Sequence, residues 1–246
     1  MAHGYEVAEP RTGVEPRPPL PFRHAQQLER ELLDSTVQRG AGCDWSVWRT
    51  HQALIAPSLA ATAAGFRDAA HEMSRCGWPV YIRDTGGDIT PQSPGVVNVS
   101  SAFLVERTTD ISIRATYERF CAPLLAFFAS LGFDAYLSSV QGAFCDGAFN
   151  VVIDGKKIAG TAQRWRLTRL QDGGAGVAVL AHAAILADAD IVAGVEATNR
   201  FYALCGTDRR VDPAQHISTA ALSGRELAAA PLAARLAHFL DRERGG

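Results

Sequence analysis

Two periods organise the apolar and polar positions of this chain. Helical spacing opens at His24–Asp34 (HAQQLERELLD), where Leu28, Leu32 and Leu33 share a stripe. DWSVWRTHQALIA (44–56) alternates as a strand up to Pro57, and AAGFRDAAHEMSR (63–75) returns to helical spacing before Gly77. Pro79–Arg83 is a short strand running into a loop at Thr85-Gly86-Gly87, and VVNVSSAFLV (96–105) is a β-branched strand. TDISIRATYERFCAPLLAFFASLG (109–132) predicts a long amphipathic helix with Asp110 as N-cap and Gly132 as stop. FDAYLSS (133–139) and GVAVLAHAAIL (176–186) read as strands, and helices are expected at 188–204 and 223–242. Between them, arms at 149–153 and 156–162 flank Asp154-Gly155, a dipeptide that prefers the two-residue hairpin turn. Strands and helices interleave without strict βαβ order, so the expected fold class is α+β, a mixed α/β arrangement.

The hairpin carries a geometric consequence. A regular turn pairs Ile153 with Lys156 and Val152 with Lys157, and alternation then places Lys157, Ala159 and Thr161 on the face of Asn150 and Val152. Lys156 points the other way, so only one of the two lysines can serve a given site. Cys145 lies seven residues before Val152, ~23 Å away if the strand stays extended at about 3.3 Å per residue. A meeting of Cys145 with Lys157 therefore requires Cys145-Asp146-Gly147 to fold back, which Asp-Gly permits.

Composition narrows the classes. The 246 residues are 47% hydrophobic and 20% charged, enough to bury a sizeable core. Residues 1–20, rich in Pro, Gly and charge, are expected to be a flexible arm, and 21–246 a single domain. A net charge of −2 gives no general attraction for nucleic acid or an anionic membrane. No apolar run approaches the ~20 residues of a membrane span. The N-terminus lacks the apolar core of a signal peptide. Five cysteines without zinc-site spacing or a disulfide framework suggest reduced thiols in a cytoplasm.

The candidate chemistry gathers in few places. A lysine ammonium beside Cys145 would favour its thiolate, the form that attacks acyl groups. Gly86-Gly87 lets backbone approach a ligand, and Arg83 can anchor a carboxylate or phosphate. Each feature also has a plain reading. Cys145 can be a small strand-end residue, the lysines a solvated hairpin tip, the glycines a turn, and His182 a satisfied core histidine. Arg164, Arg166 and Arg169 form a basic strip, either an edge that discourages strand addition or a docking place for an acidic partner. His71-Glu72 has no second histidine at zinc-helix spacing, and neither Gly-x-Ser-x-Gly nor a phosphate loop occurs.

The motifs resemble those of one superfamily. DGKKIAGTAQR (154–164) resembles the lysine motif of the biotin/lipoate ligases and transferases, and RDTGG (83–87) their Arg-x-Ser/Thr-Gly-Gly loop. VLAHAAILAD (179–188) is similar to the strand after the lysine, and the likeness runs through roughly 40–225. Within the superfamily, Phe144-Cys145-Asp146-Gly147-Ala148-Phe149 resembles the Tyr-Cys-Pro-Gly-Ser-Tyr segment of the cysteine-dependent octanoyl/lipoyl amidotransferases, and GVVNVS (95–100) their Gly-Val-Leu-Asn-Ile-Ser.

That resemblance implies a lipoate/biotin ligase-type fold, with Cys145 holding the acyl chain as a thioester and Lys157 activating it. It implies substrate-binding roles for Arg83, Thr85, Gly86, Gly87, Asn150, Gly160, Thr161 and His182, with no metal and no cofactor beyond the octanoyl or lipoyl substrate. The implied partners are a lipoyl-type carrier domain and an octanoyl carrier protein. There are departures. The ligase pattern Gly-Gly-Gly-x-Val-x-His-Asp stands here as Gly-Gly-Asp88-Ile-Thr-Pro-Gln92-Ser, and Asn150 replaces the usual Asp. Asp88 is expected to alter the polarity of the pocket. These changes fit a transferase better than an ATP-dependent lipoate ligase, and they leave a non-catalytic acyl- or carrier-binding paralogue as a further alternative.

Overall fold

The computed structural model of the chain describes residues 18–107 and 111–244. In chain order the elements are α1 (Phe22–Arg39), β1 (Cys43–Trp48), β2 (Ala53–Pro57), α2 (Phe66–Arg75), β3 (Val80–Arg83), β4 (Thr90–Gln92), β5 (Val96–Glu106) and α3 (Ile113–Ser130). They continue with β6 (Tyr136–Ser138), β7 (Asn150–Ile153), β8 (Lys156–Arg169), β9 (Ala175–Leu186), α4 (Ile191–Leu204), α5 (Thr219–Ser223) and α6 (Ala229–Arg244). Six strands form one antiparallel sheet in the order β1-β5-β9-β8-β7-β6. A smaller sheet, β3-β2-β4, joins a parallel pair to an antiparallel one, which makes the architecture mixed α/β as expected.

The large sheet is covered on both faces, and β9 shows how. Its odd positions Val177, Val179, Ala181, Ala183 and Ile185 pack with Phe120, Leu124, Phe127 and Phe128 of α3 and Leu232, Leu236 and Leu240 of α6. On the opposite face Ala178 and Leu180 meet Leu33 of α1. Further along that face come His182 and Ala184, where α1 and the small sheet enclose a cleft. The strand is nearly continuous in its burial, as a strand covered on both faces must be.

Several expectations shift in detail. The run 44–56 is two strands in two sheets: β1 pairs with β5, while β2 pairs with β3 and β4. A corner at residues 49–52 separates them, and Leu20 bridges to Thr50 there. Alternation alone cannot see this corner; the sign was the all-buried Ala53–Pro57, which cannot be a half-exposed strand. Asp110 lies outside the described residues, as does the expected arm up to residue 17. The cap on α3 is Ser112, whose hydroxyl accepts from Ala115 N at 3.0 Å. The expected helix 223–242 breaks at Gly224, which has φ +69, and α6 begins at Ala229. Among the described residues no helix is long and apolar enough to cross a membrane.

Candidate active site

The site is assembled by the hairpin between β7 and β8. Asp154 (φ +51) and Gly155 (φ +74) both occupy the left-handed region that a type I′ turn demands. Ile153 pairs with Lys156 and Val152 with Lys157, and then the register slips, so that Val151 faces Ala159. Ile158 is the extra residue of a β-bulge. The bulge moves Ala159 and Ile158 together into the core and brings Gly160, instead of Ala159 and Thr161, onto the face of Lys157. Thr161 uses its hydroxyl on Phe149 O at 2.7 Å. Of the two lysines, Lys156 is exposed and Lys157 is only 3% exposed.

Lys157 reaches the cysteine loop. Its Nζ donates to the carbonyl of Phe144 and, at 3.1 Å, to that of Cys145. The required fold-back takes place: Gly147 N donates to Cys145 O at 2.8 Å, and Asp146 Oδ1 accepts from Val140 N at 2.9 Å. Asn150 braces the same loop from behind through Gly147 O at 2.9 Å and is not part of the cleft wall. Cys145 sits half-buried at φ +47, a conformation that non-glycine residues seldom adopt and that marks strain held by its surroundings. Burial pushes the Lys157 pKa down to about 8; Cys145 opposes the shift and Arg83 adds to it.

His216 completes this arrangement, and sequence reasoning missed it. Its Nδ1–H donates to Asp212 O at 3.1 Å, leaving Nε2 to accept from Phe144 N at 3.0 Å. Burial, reinforced by the Lys157 charge, pushes its pKa down to about 4, so the ring stays neutral. No spacing signal links residue 216 to the cysteine; a bridge between Lys157 and His216 in the fold does.

The glycine loop lies against the thiol. A Cβ on Gly87, at φ +99, would meet Cys145 Sγ at 2.7 Å and Arg83 Nη2 at 2.9 Å. Gly86 has open space in the same test, so the two glycines are not equivalent. Arg83, 9% exposed, donates to Thr90 Oγ1 (2.9 Å), Gly86 O (3.0 Å) and Asp88 O (2.9 Å). The carboxylate of Asp88 does not reach the cleft wall. It accepts from Tyr202 Oη at 2.8 Å and pairs with Arg209, so it acts on the site through its charge, which favours the charged forms of Arg83 and Lys157, and not by lining the cleft.

The cleft itself lies between the large sheet, α1 and the small sheet, walled by Phe22, Trp48, Ile55, Ala162 and Ala184 with Arg83, Cys145, Gly160, Thr161 and His182. His182 Nδ1 meets Glu29 Oε1 at 3.0 Å, and its Nε2 lies 3.4 Å from Thr85 Oγ1. Ser100 also donates to Glu29 at 2.7 Å and itself accepts from Trp48 Nε1 at 3.0 Å. Burial alone would raise the Glu29 pKa, but His182 and these hydrogen bonds outweigh it and hold the carboxyl below its usual range. Gln92, in the place of the ligase histidine, exchanges two 2.9 Å hydrogen bonds with Asn98. Glu29 had a legible signal that went unread: it fills the gap between Ala25 and Leu33 on the buried stripe of α1.

The basic strip is largely paired, Arg164 with Asp84 at 2.9 Å and Arg166 with Asp34 at 2.6 Å. All five cysteines are free thiols, and no cluster of metal-ligating side chains occurs among the described residues.

Comparison with known proteins gives the family. The family model of the lipoyl protein ligase A/B catalytic domain matches residues 22–218, and the chain belongs to that family. An uncharacterized protein of Cupriavidus necator is 32% identical over 200 residues, covering 78% of each chain. The octanoyl-[GcvH]:protein N-octanoyltransferase of Kyrpidia tusciae is 34% identical over 133 residues, 51% of this chain and 43% of that one. That of Geobacillus kaustophilus is 34% identical over 51% of this chain and 45% of its own. The chain thus spans less than half the length of these named transferases. A lipoate-protein ligase A crystallised with ATP shares the fold, with a TM-score of 0.62 at 17% identity over 93% of this chain and 86% of that one.

Proposed function

We propose that this protein is an acyltransferase that moves an octanoyl or lipoyl group onto a lysine of a lipoyl-type carrier domain through an acyl-Cys145 thioester. The observation that carries this reading is the strained, half-buried Cys145 in the wall of the cleft, with Lys157 bonded to its own carbonyl and to that of Phe144. Octanoyl- and lipoyl-transferring relatives named for GcvH support the acyl group and the carrier-domain partner. An octanoyl carrier protein remains a further donor in the proposal.

In the first half-reaction the Cys145 thiol gives up its proton and Sγ bonds to the carbonyl carbon of the donor acyl-lysine. The carbonyl electron pair moves onto oxygen and returns as the donor C–N bond breaks, and the departing amine takes a proton. In the second half-reaction the acceptor lysine amine attacks acyl-Cys145, forming an amide and restoring the thiol. Arg83, Gly160, Thr161 and His182 line the cleft that receives the acyl chain. Thr85 meets His182, the Gly86 carbonyl accepts from Arg83, Gly87 leaves room for the thiol, and Asn150 keeps the cysteine loop in place. No metal or ATP takes part in this scheme.

The test is transfer of octanoyl from an octanoylated carrier domain to an unmodified lipoyl domain, with and without ATP. ATP-independent transfer supports the transferase. Transfer only with ATP and release of pyrophosphate would make the protein a ligase, and binding of the carrier without transfer would make it a non-catalytic paralogue.

A further inference from the structure

We infer that Arg83 is a second catalytic cation of this site, placed to take up the negative charge that develops on the acyl carbonyl oxygen as Cys145 attacks. The inference rests on the acyl-cysteine reading above. Its first ground is position. The Arg83 guanidinium and Cys145 Sγ flank the same bare glycine, each within 3 Å of where a Gly87 side chain would begin. Both residues line the cleft.

The second ground is charge. Arg83 is buried, yet all three of its hydrogen bonds go to neutral oxygens, a threonine hydroxyl and two backbone carbonyls. Its Nε is buried with no hydrogen-bond partner. A buried cation without a bonded anion is costly to keep, and a fold retains it where an anion arrives in use. Burial lowers the Arg83 pKa, and Cys145 is the foremost of the groups that oppose this, ahead of Glu29 and Asp88.

The third ground is what Lys157 is doing. Two of its three N–H groups are engaged by the carbonyls of Phe144 and Cys145, so it fixes the loop as much as it faces substrate. A guanidinium remains charged at any working pH, and its three hydrogen bonds hold it rigid before substrate arrives. The tetrahedral intermediate then forms with its Sγ–C bond made and the former carbonyl pair on oxygen beside Arg83. Collapse restores the C=O bond and expels the donor amine.

The experiment compares two reactions of Cys145 in wild type, Arg83→Gln and Arg83→Lys. Octanoyl loading from an octanoylated carrier domain passes through an oxyanion, whereas alkylation by iodoacetamide at pH 10 does not. For Arg83→Gln we expect loading to fall by ~10²–10³, with alkylation at pH 10 within about threefold of wild type. Arg83→Lys, which keeps the charge and guards against a fold that fails without it, is expected to recover about tenfold of the lost rate. Loading and alkylation falling together would overturn the inference and reduce Arg83 to a brace of the glycine loop, and unchanged loading would overturn it too. If wild type itself takes no octanoyl group, the acyl-cysteine reading fails and this inference falls with it; if only the variants match wild type, the reading stands and the inference alone is lost.

Discussion

Lys157 and His216 grip opposite ends of one residue. His216 Nε2 accepts the N–H of Phe144 at 3.0 Å, while Lys157 Nζ donates to its carbonyl, so the peptide that delivers Cys145 is fixed from both sides. His216→Ala strands a buried N–H, which costs ~1–3 kcal/mol. It is expected to lower octanoyl loading by about tenfold as the cysteine loop loosens. His216→Asn, whose side-chain oxygen can accept, should recover part of both effects; urea melts and a loading time course check this.

The same histidine sets the acid side of stability. Its pKa is about 4 in the folded chain against 6.5 for the free side chain. Between these values the unfolded chain binds a proton that the folded chain refuses, so stability falls as pH drops from 6.5 to 4 and this contribution levels off below 4. Unfolding measured across pH 4–7 should show a shallower acid loss in His216→Asn than in wild type.

Lys157 acts on the alkaline side. With its pKa lowered from 10.5 to about 8, the unfolded chain holds a proton that the folded chain has shed between those values. Stability from this group therefore rises as pH increases from 8 to 10.5. Lys157→Met is expected to abolish that rise, in unfolding curves recorded at pH 7 and pH 10, and to abolish acyl loading.

The two loop glycines should respond differently to a methyl group. Gly87→Ala places a Cβ 2.7 Å from Cys145 Sγ at φ +99, and loading is expected to fall by about 10². Gly86→Ala meets nothing within 4 Å and should stay within about twofold of wild type. Equal losses in both would show that the loop, and not the contact with the thiol, is what matters.

Much of this site was legible because it lies in local patterns. Asp154-Gly155 specified the hairpin, and its pairing selected Lys157 over Lys156. The bulge at Ile158 was not legible: Lys157-Ile158-Ala159-Gly160 reads as plain alternation, and only the need to bury both Ile158 and Ala159 displaces the register. The partners of Glu29 and His216 escaped for a different reason, although the place of Glu29 on the buried stripe was legible. Each meets its partner across a long sequence separation, Glu29 with His182 and His216 with Phe144, and nothing in local spacing encodes such a meeting. Asp88 stood out as a departure from the motif, but its partners Tyr202 and Arg209 lie more than a hundred residues away.

The most direct measurement is the intact mass of the purified protein after exposure to an octanoylated carrier domain without ATP, beside Cys145→Ser. One octanoyl adduct is expected on wild type alone, released by hydroxylamine as a thioester is. An unmodified wild-type protein, under conditions that load a known cysteine-dependent octanoyltransferase, would contradict acyl transfer through Cys145, as would an adduct that persists in Cys145→Ser.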